Sequence, residues 1–258
     1  MKEGAAQAYT EYRGKAAIRE MLADRLATFT GAPVEAGSEM ILTPGSQGAL
    51  FLAIAATVAA GDKVAIVQPN YFANRKLVQF FDGVICPVQL DYLGGNEHAG
   101  LDLDELEGAF KAGAKVFIFS NPSNPTGAIY SPAEIRTIAD LTSKYGATII
   151  VDQLYSRLHY TDGGPYTHLR TLAAPDNVLT IMGSSETESL SGYRLGVAFG
   201  SAAIIERMER LQAIVSLRAA GYNQSVFRTW FAEPDGLDGG AHPPASGDSR
   251  RPAGRLPL

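Results

Sequence analysis

Short runs rich in valine, isoleucine and phenylalanine recur along residues 39–199, and stretches of helical character lie between them. This alternation is the strongest constraint on what the chain can fold into. Residues 63–68, 84–90, 115–120, 147–152, 177–182 and 195–199 read as strands bounded by Gly, Pro, Asn or Asp. Residues 39–43 form a shorter apolar run that ends at Pro44 and Gly45. Residues 48–60, 103–112 and 201–213 read as helices. One further helix is marked at both ends: Ser131 as cap, Pro132 in the first turn, Glu134 three residues on, and Gly146 after Tyr145. A helix between two strands carries the chain back across the sheet, so the strands it joins pair in parallel. The expected fold is α/β, a three-layer αβα arrangement with a mostly parallel sheet.

In open sheets of this kind ligands bind beyond the carboxyl ends of the strands. Three polar segments fall there: residues 120–124, 152–155 and 183–186. Their common placement predicts one site. Asn124 is flanked by Pro122 and Pro125, which suits a fixed loop presenting a side chain, although turn chemistry alone also favours asparagine. Gly45, Ser46 and Gln47 precede a helix, and helix N-termini bind anions through free N–H groups and the dipole. A plain capped helix start is the alternative.

These segments resemble the class I/II aminotransferases, pyridoxal-phosphate (PLP) enzymes of fold type I. Residues 183–196, GSSETESLSGYRLG, resemble the family's active-site segment, where a Ser-Lys-Thr element carries the lysine that binds the cofactor and an arginine follows eight residues later. Arg194 stands at the arginine position, and Glu186 stands at the Schiff-base lysine position. Tyr9, Gly14, Ile18 and Arg19 resemble a Tyr-x4-Gly-x3-Leu-Arg element near the family's dimer interface. Thr43-Pro44-Gly45-Ser46-Gln47 resembles the loop that opens its first large helix. Asn121-Pro122-Ser123-Asn124-Pro125-Thr126-Gly127 is close to its Asn-Pro-x-Asn-Pro-Thr-Gly, and Asp152 and Tyr155 match its Asp-x-x-Tyr pair. The resemblance runs to about Asp235.

The resemblance implies a fold type I large domain over residues 1–220, lacking the family's N-terminal arm. Residues 221–236 would begin a connecting helix to a C-terminal domain that the chain lacks. Residues 237–258 are Gly-, Pro-, Arg- and Ser-rich and read as a disordered tail, with a composition like out-of-frame translation.

The resemblance also implies roles. Asp152 would pair with the cofactor's ring nitrogen and keep it protonated. Asn124 and Tyr155 would hydrogen-bond the ring's 3' oxygen, and Tyr71 would stack on the ring. Gly45, Ser46, Gln47 and Arg194 would hold the phosphate. Tyr9 would reach the phosphate of a neighbouring subunit in a homodimer. Gly183 replaces a phosphate-binding serine, and Ser184 and Ser185 are candidates for that contact. Each of these residues also has an ordinary structural reading as cap, packed ring or surface ion pair. Arg218 is a candidate for a substrate carboxylate and equally a helix-end surface arginine.

Glu186 decides the chemistry. A carboxylate cannot form an imine, and no lysine follows Lys144 to take its place. The lineage implies transfer of an amino group from an amino acid to a 2-oxo acid, impaired here. Two alternatives stand: a non-catalytic module that holds PLP or its amine form, pyridoxamine phosphate (PMP), and a non-functional fragment of a damaged gene. A carboxylate at that place would favour the ammonium of PMP over the aldehyde of PLP.

Composition narrows the classes. Net charge is −5 and no basic stripe appears, which argues against nucleic acid. Cys86 is the single cysteine, so no intrachain disulfide forms and a reducing cytoplasm is expected; the apolar run around it predicts a buried thiol. No apolar run reaches membrane-spanning length. His98, His159, His168 and His242 lack metal-ligand spacing, and no metal is expected.

Overall fold

Along strand β4 (Ala114–Ser120) the side chains divide between two cores. Phe117 and Phe119 pack on one face of the sheet, and Val116 and Ile118 on the other. The period of two is the pleat of a strand, and burial on both faces is why these runs are continuously apolar. The same division recurs on β2 (Lys63–Gln68), β5 (Thr148–Asp152) and β6 (Val178–Met182).

The computed structural model describes residues 9–94, 99–159 and 166–232. With β1 (Met40–Pro44), β3 (Val84–Gln89) and β7 (Leu195–Gly200), the strands form one sheet of order β1-β7-β6-β5-β4-β2-β3. β3, β2, β4, β5 and β6 pair in parallel. β7 is antiparallel to both neighbours, β6 and β1. The sheet is mixed and mostly parallel, as the alternation predicts.

Helices flank it on both sides. α2 (Gly45–Thr57), α3 (Phe72–Phe80) and α6 (Ala202–Val215) bury Leu50, Ile54, Val78, Ile205 and Met208 against one face. α4 (Leu103–Lys111) and α5 (Pro132–Tyr145) bury Leu106, Phe110, Ile135 and Ile138 against the other. α1 (Ala16–Thr30) closes a third cluster at the β1–β7 end, where Leu22 and Leu26 meet Met40, Val197, Phe227 and Trp230.

α5 matches its sequence signals in full. Ser131 and Glu134 form a reciprocal capping box, and Gly146 ends the helix in the left-handed region. α1 and α3 carry no such mark at their starts, since their N-caps, Lys15 and Tyr71, make no side-chain capping bond, although α1 ends at Gly31 in the left-handed region. α2 begins earlier than its pattern indicates, so Gly45, Ser46 and Gln47 are its first turn, not a loop ahead of it. Cys86 is half-buried, a correction to the expected burial, because β3 is an edge strand. Residues 223–228, in the segment expected to begin a connecting helix, form a 3-10 helix, and Phe227 and Trp230 beside it are fully buried. The expected tail, His98 and His242 lie outside the described residues. Among the described residues no helix is long and apolar enough to cross a membrane.

Candidate active site

The strand ends converge on one cavity of about 220 Å³. Its walls are Ser46, Gln47 and Leu50 from α2, Tyr71 from the loop after β2, and Asn124 from the loop after β4. Asp152, Leu154 and Tyr155 come from the end of β5. Ser185, Glu186, Ser191 and Arg194 come from the segment between β6 and β7. The site residues expected from the sequence line it, except Gly45, Tyr9 and the further candidates Ser184 and Arg218. The parallel strands bring these segments together, since β4, β5 and β6 are neighbours and end at the same edge. β7 runs the other way, so its first residues deliver Arg194 to that edge.

One end of the cavity is built for an anion. The first turn of α2 has no side-chain cap and no acidic residue, so no side chain competes there with an anion for its N–H groups, although a backbone bridge joins Gly45 to Leu195. Arg194 lies against it: a Cβ on Gly45, whose φ is +80°, would sit 2.5 Å from Nη2 of Arg194. Arg194 itself holds a left-handed backbone, φ 51°, and its Nη1 donates to the Ser191 carbonyl at 3.0 Å. That strain, about 1–3 kcal/mol for a non-glycine residue, is the kind found where geometry serves a site. The Ser185 hydroxyl is buried and has no hydrogen-bond partner among the described residues. Of the two candidate serines, Ser185 faces the cavity and Ser184 is buried under the loop. Gly196 is a contributor that no motif singled out: a Cβ there would lie 2.4 Å from the Ser46 nitrogen. Its lack of a side chain lets the start of α2 sit directly on β7.

The other polar group is Asp152. Burial pushes its carboxyl up to about 6, the Leu154 N–H it accepts at 3.0 Å opposes the rise, and the Glu186 charge adds to it. The Tyr155 hydroxyl is held above its ordinary range by burial first, then by the charges of Glu186 and Asp152. Glu186 therefore acts electrostatically on both groups, although its own side chain is exposed at the cavity wall. Tyr71 presents its ring there and directs its hydroxyl to Gln47 Oε1 at 3.4 Å.

A hydrogen-bonded chain that the sequence does not reveal backs this wall. His168 Nδ1 lies 3.2 Å from Gln153 Oε1. Gln153 Nε2 donates to the Tyr166 hydroxyl at 3.1 Å, and Tyr166 donates to the Asn121 carbonyl at 2.5 Å. It ties residues 166–168 to the ends of β4 and β5.

Two candidates lie elsewhere. Tyr9 is 84 % exposed and outside the cavity of its own chain. The Arg218 guanidinium sits 4.5 Å from the Tyr9 ring centroid and donates to the Thr10 carbonyl, away from the cavity lining. Among the described residues no group of His, Cys, Asp or Glu side chains is placed to hold a metal.

The donor set fits a phosphorylated pyridine. An uncapped helix start, an arginine and an orphaned hydroxyl suit the phosphate, and a crowded carboxyl suits a protonated ring nitrogen. It lacks an amine for a covalent bond.

Comparison with known proteins agrees. The family model for aminotransferase class I and II matches residues 2–233. The aspartate aminotransferase of Sulfurisphaera tokodaii is 30% identical over 208 residues, 80% of this chain and 50% of that protein. The asparagine–oxo-acid transaminase of Streptococcus mutans is 30% identical over 213 residues, 82% and 53% of the two. A crystal structure of an aspartate aminotransferase from Rhodobacter sphaeroides 2.4.1 superposes with a TM-score of 0.89 at 67% identity, covering 92% of this chain and 61% of that one. The chain spans about half the length of the curated relatives it matches.

Proposed function

The chain belongs to the class I and II aminotransferase family, and we propose that its cavity holds pyridoxal or pyridoxamine phosphate without a covalent bond. By family it is a PLP-dependent transaminase, and family members use pyridoxal 5'-phosphate. The proposed lineage reaction moves an amino group from an amino acid to a 2-oxo acid. Aspartate is the proposed donor, on the strength of the relatives that carry that name. The proposed setting is a homodimer in the cytoplasm, in which the exposed Tyr9 of one copy serves the other.

When bound, the cofactor supplies an electron sink and a carbonyl or amine that exchanges with the substrate's amino group. The chain's residues would do the rest. Free N–H groups of α2, the Ser185 hydroxyl and the Arg194 guanidinium would hold the phosphate. Asp152 would pair as a carboxylate with a protonated ring nitrogen, which offsets the burial that raises its carboxyl to about 6 in the free protein. Tyr155 and Asn124 would donate to the ring oxygen, and Tyr71 would cover a ring face. Glu186, at the proposed lysine position, can accept a hydrogen bond from an ammonium but cannot hold a carbonyl. Turnover is therefore proposed to be impaired, and binding favoured for PMP.

The observation that carries this reading is the presence of Glu186 on the same cavity wall as Asp152, Tyr155 and Arg194. Its test is equilibrium titration of PMP and PLP against the wild type and Glu186→Gln. A charge-assisted hydrogen bond contributes about 1.5–3 kcal/mol when desolvated. Glu186 is exposed, so water screens it, and the expected preference for PMP is at the low end, about tenfold. Glu186→Gln should narrow it. PLP binding as tight as PMP would overturn the reading.

A further inference from the structure

Two residue pairs bridge the loops that follow β5 and β6. Tyr155 and Glu186 both line the cavity and lie close enough for the Glu186 carboxylate to act on the Tyr155 hydroxyl. Two residues farther along each loop, Arg157 and Glu188 form an ion pair. It is well covered, with the side chains 11% and 20% exposed. The Glu188 carboxylate also accepts a hydrogen bond from the Thr187 hydroxyl.

The loop needs such an anchor. Its backbone folds back on Ser184, whose carbonyl accepts from the Glu188 and Leu190 N–H groups at 3.4 and 3.2 Å. Both are long for N–H···O bonds and hold the loop weakly. Arg157, in contrast, is braced from behind. Its guanidinium lies 4.1 Å from the Phe231 ring centroid. Phe231 in turn packs on Trp230 at 4.8 Å and on Phe29 of α1 at 5.2 Å. The anchor therefore runs from the α1 core to the loop that carries Ser185 and Glu186.

We propose that Arg157 and Glu188 are positioning residues whose ion pair sets the placement of Tyr155 and Glu186 relative to each other at the cavity wall. A partly buried ion pair contributes little net stability because desolvation offsets much of its attraction, and its directional bonds fix geometry instead. The functional arm of this proposal rests on the cofactor reading above, and the geometric arm does not.

The experiment is hydrogen exchange of the wild-type chain, Glu188→Gln, the milder Thr187→Val, and the charge-swapped double variant Arg157→Glu with Glu188→Arg. Glu188→Gln should speed exchange in peptides covering residues 184–190 and 154–158 by about tenfold and leave residues 114–120 unchanged. Thr187→Val should give a smaller change in the same peptides, and the swap should reverse much of the effect. PMP is then added to each protein. Glu188→Gln should bind it about fivefold to tenfold more weakly and alter the near-ultraviolet circular dichroism of bound PMP, with partial rescue by the swap. Unchanged exchange at 184–190, or a uniform rise across the sheet, would overturn the positioning role. Failure of the wild type to bind PMP would overturn the cofactor reading instead, and the exchange data would still decide the geometry.

Discussion

A Cβ added to Gly45 would lie 2.5 Å from Nη2 of Arg194, so the guanidinium keeps its place beside the start of α2 only because residue 45 has no side chain. Gly45→Ala should push Arg194 off the start of α2 and weaken PMP binding by about tenfold or more, the scale of a lost charge-assisted contact. The positive φ should also cost about 1–2 kcal/mol of stability. Gly113→Ala is the control, since Gly113 has φ +95° and nothing within 4 Å of an added Cβ. It should lower the melting temperature similarly and leave binding intact. Equal binding losses in both would remove the contact from the site.

Asp152 is costly to the unliganded protein. Its carboxyl keeps a proton up to about pH 6 when folded, whereas an unfolded aspartate loses it near 3.9. Stability should therefore fall as pH rises from about 4 to 6 and stay lower above. Asp152→Asn should remove that loss and stabilise the free protein at pH 8 by roughly 1–3 kcal/mol. The same change should weaken PMP binding about tenfold or more by removing the charge beside the ring nitrogen. Urea melts at pH 4 and pH 8 test the first part. A variant gap that does not close toward pH 4 would refute it.

Glu186→Lys should create a PLP adduct that borohydride traps on a peptide spanning residues 183–194. The wild type should give none. The substitution also removes the nearby negative charge that helps hold the proton on Asp152, so the acid-side titration of the free variant should shift downward. An adduct on the wild-type peptide, or none on the variant, would break the match between position 186 and the family lysine.

His168 gives the opposite pH slope. Burial, and then Arg170, hold its imidazole down to about 4, while an unfolded histidine takes up its proton near 6.5. Stability should be lost as pH falls from about 6.5 to 4, by at most about 3 kcal/mol. In His168→Gln that slope should flatten. Melts of the two proteins between pH 7 and 4 would run parallel if the ring were solvated.

Much of the sheet is legible in the residues because it depends on local signals. Strands β2, β4, β5 and β6 lie within a residue or so of their apolar runs, and α5 follows its caps. Most of the residues singled out from the motifs lie at strand ends, and the sheet gathers them around one cavity. Helices without a capping side chain at the start are hard to see: α1 and α3 rely on tertiary packing, and the one local signal, Gly31 after α1, marks only an end.

What the sequence by itself determined is local: which runs are strands, where α5 starts and stops, and that position 186 carries a carboxylate. The tertiary structure alone decided three other matters. It inserted β7 in reverse between β1 and β6, bringing Arg194 to α2. It gave Glu134 a second role beyond its cap, accepting from the backbone of Ala99, Gly100 and Leu101 at 3.0–3.1 Å. It also paired Arg157 with Glu188, 31 residues away. Each depends on contact between distant segments, which exists only once the sheet has assembled, so no period, cap or turn signal in the chain encodes it.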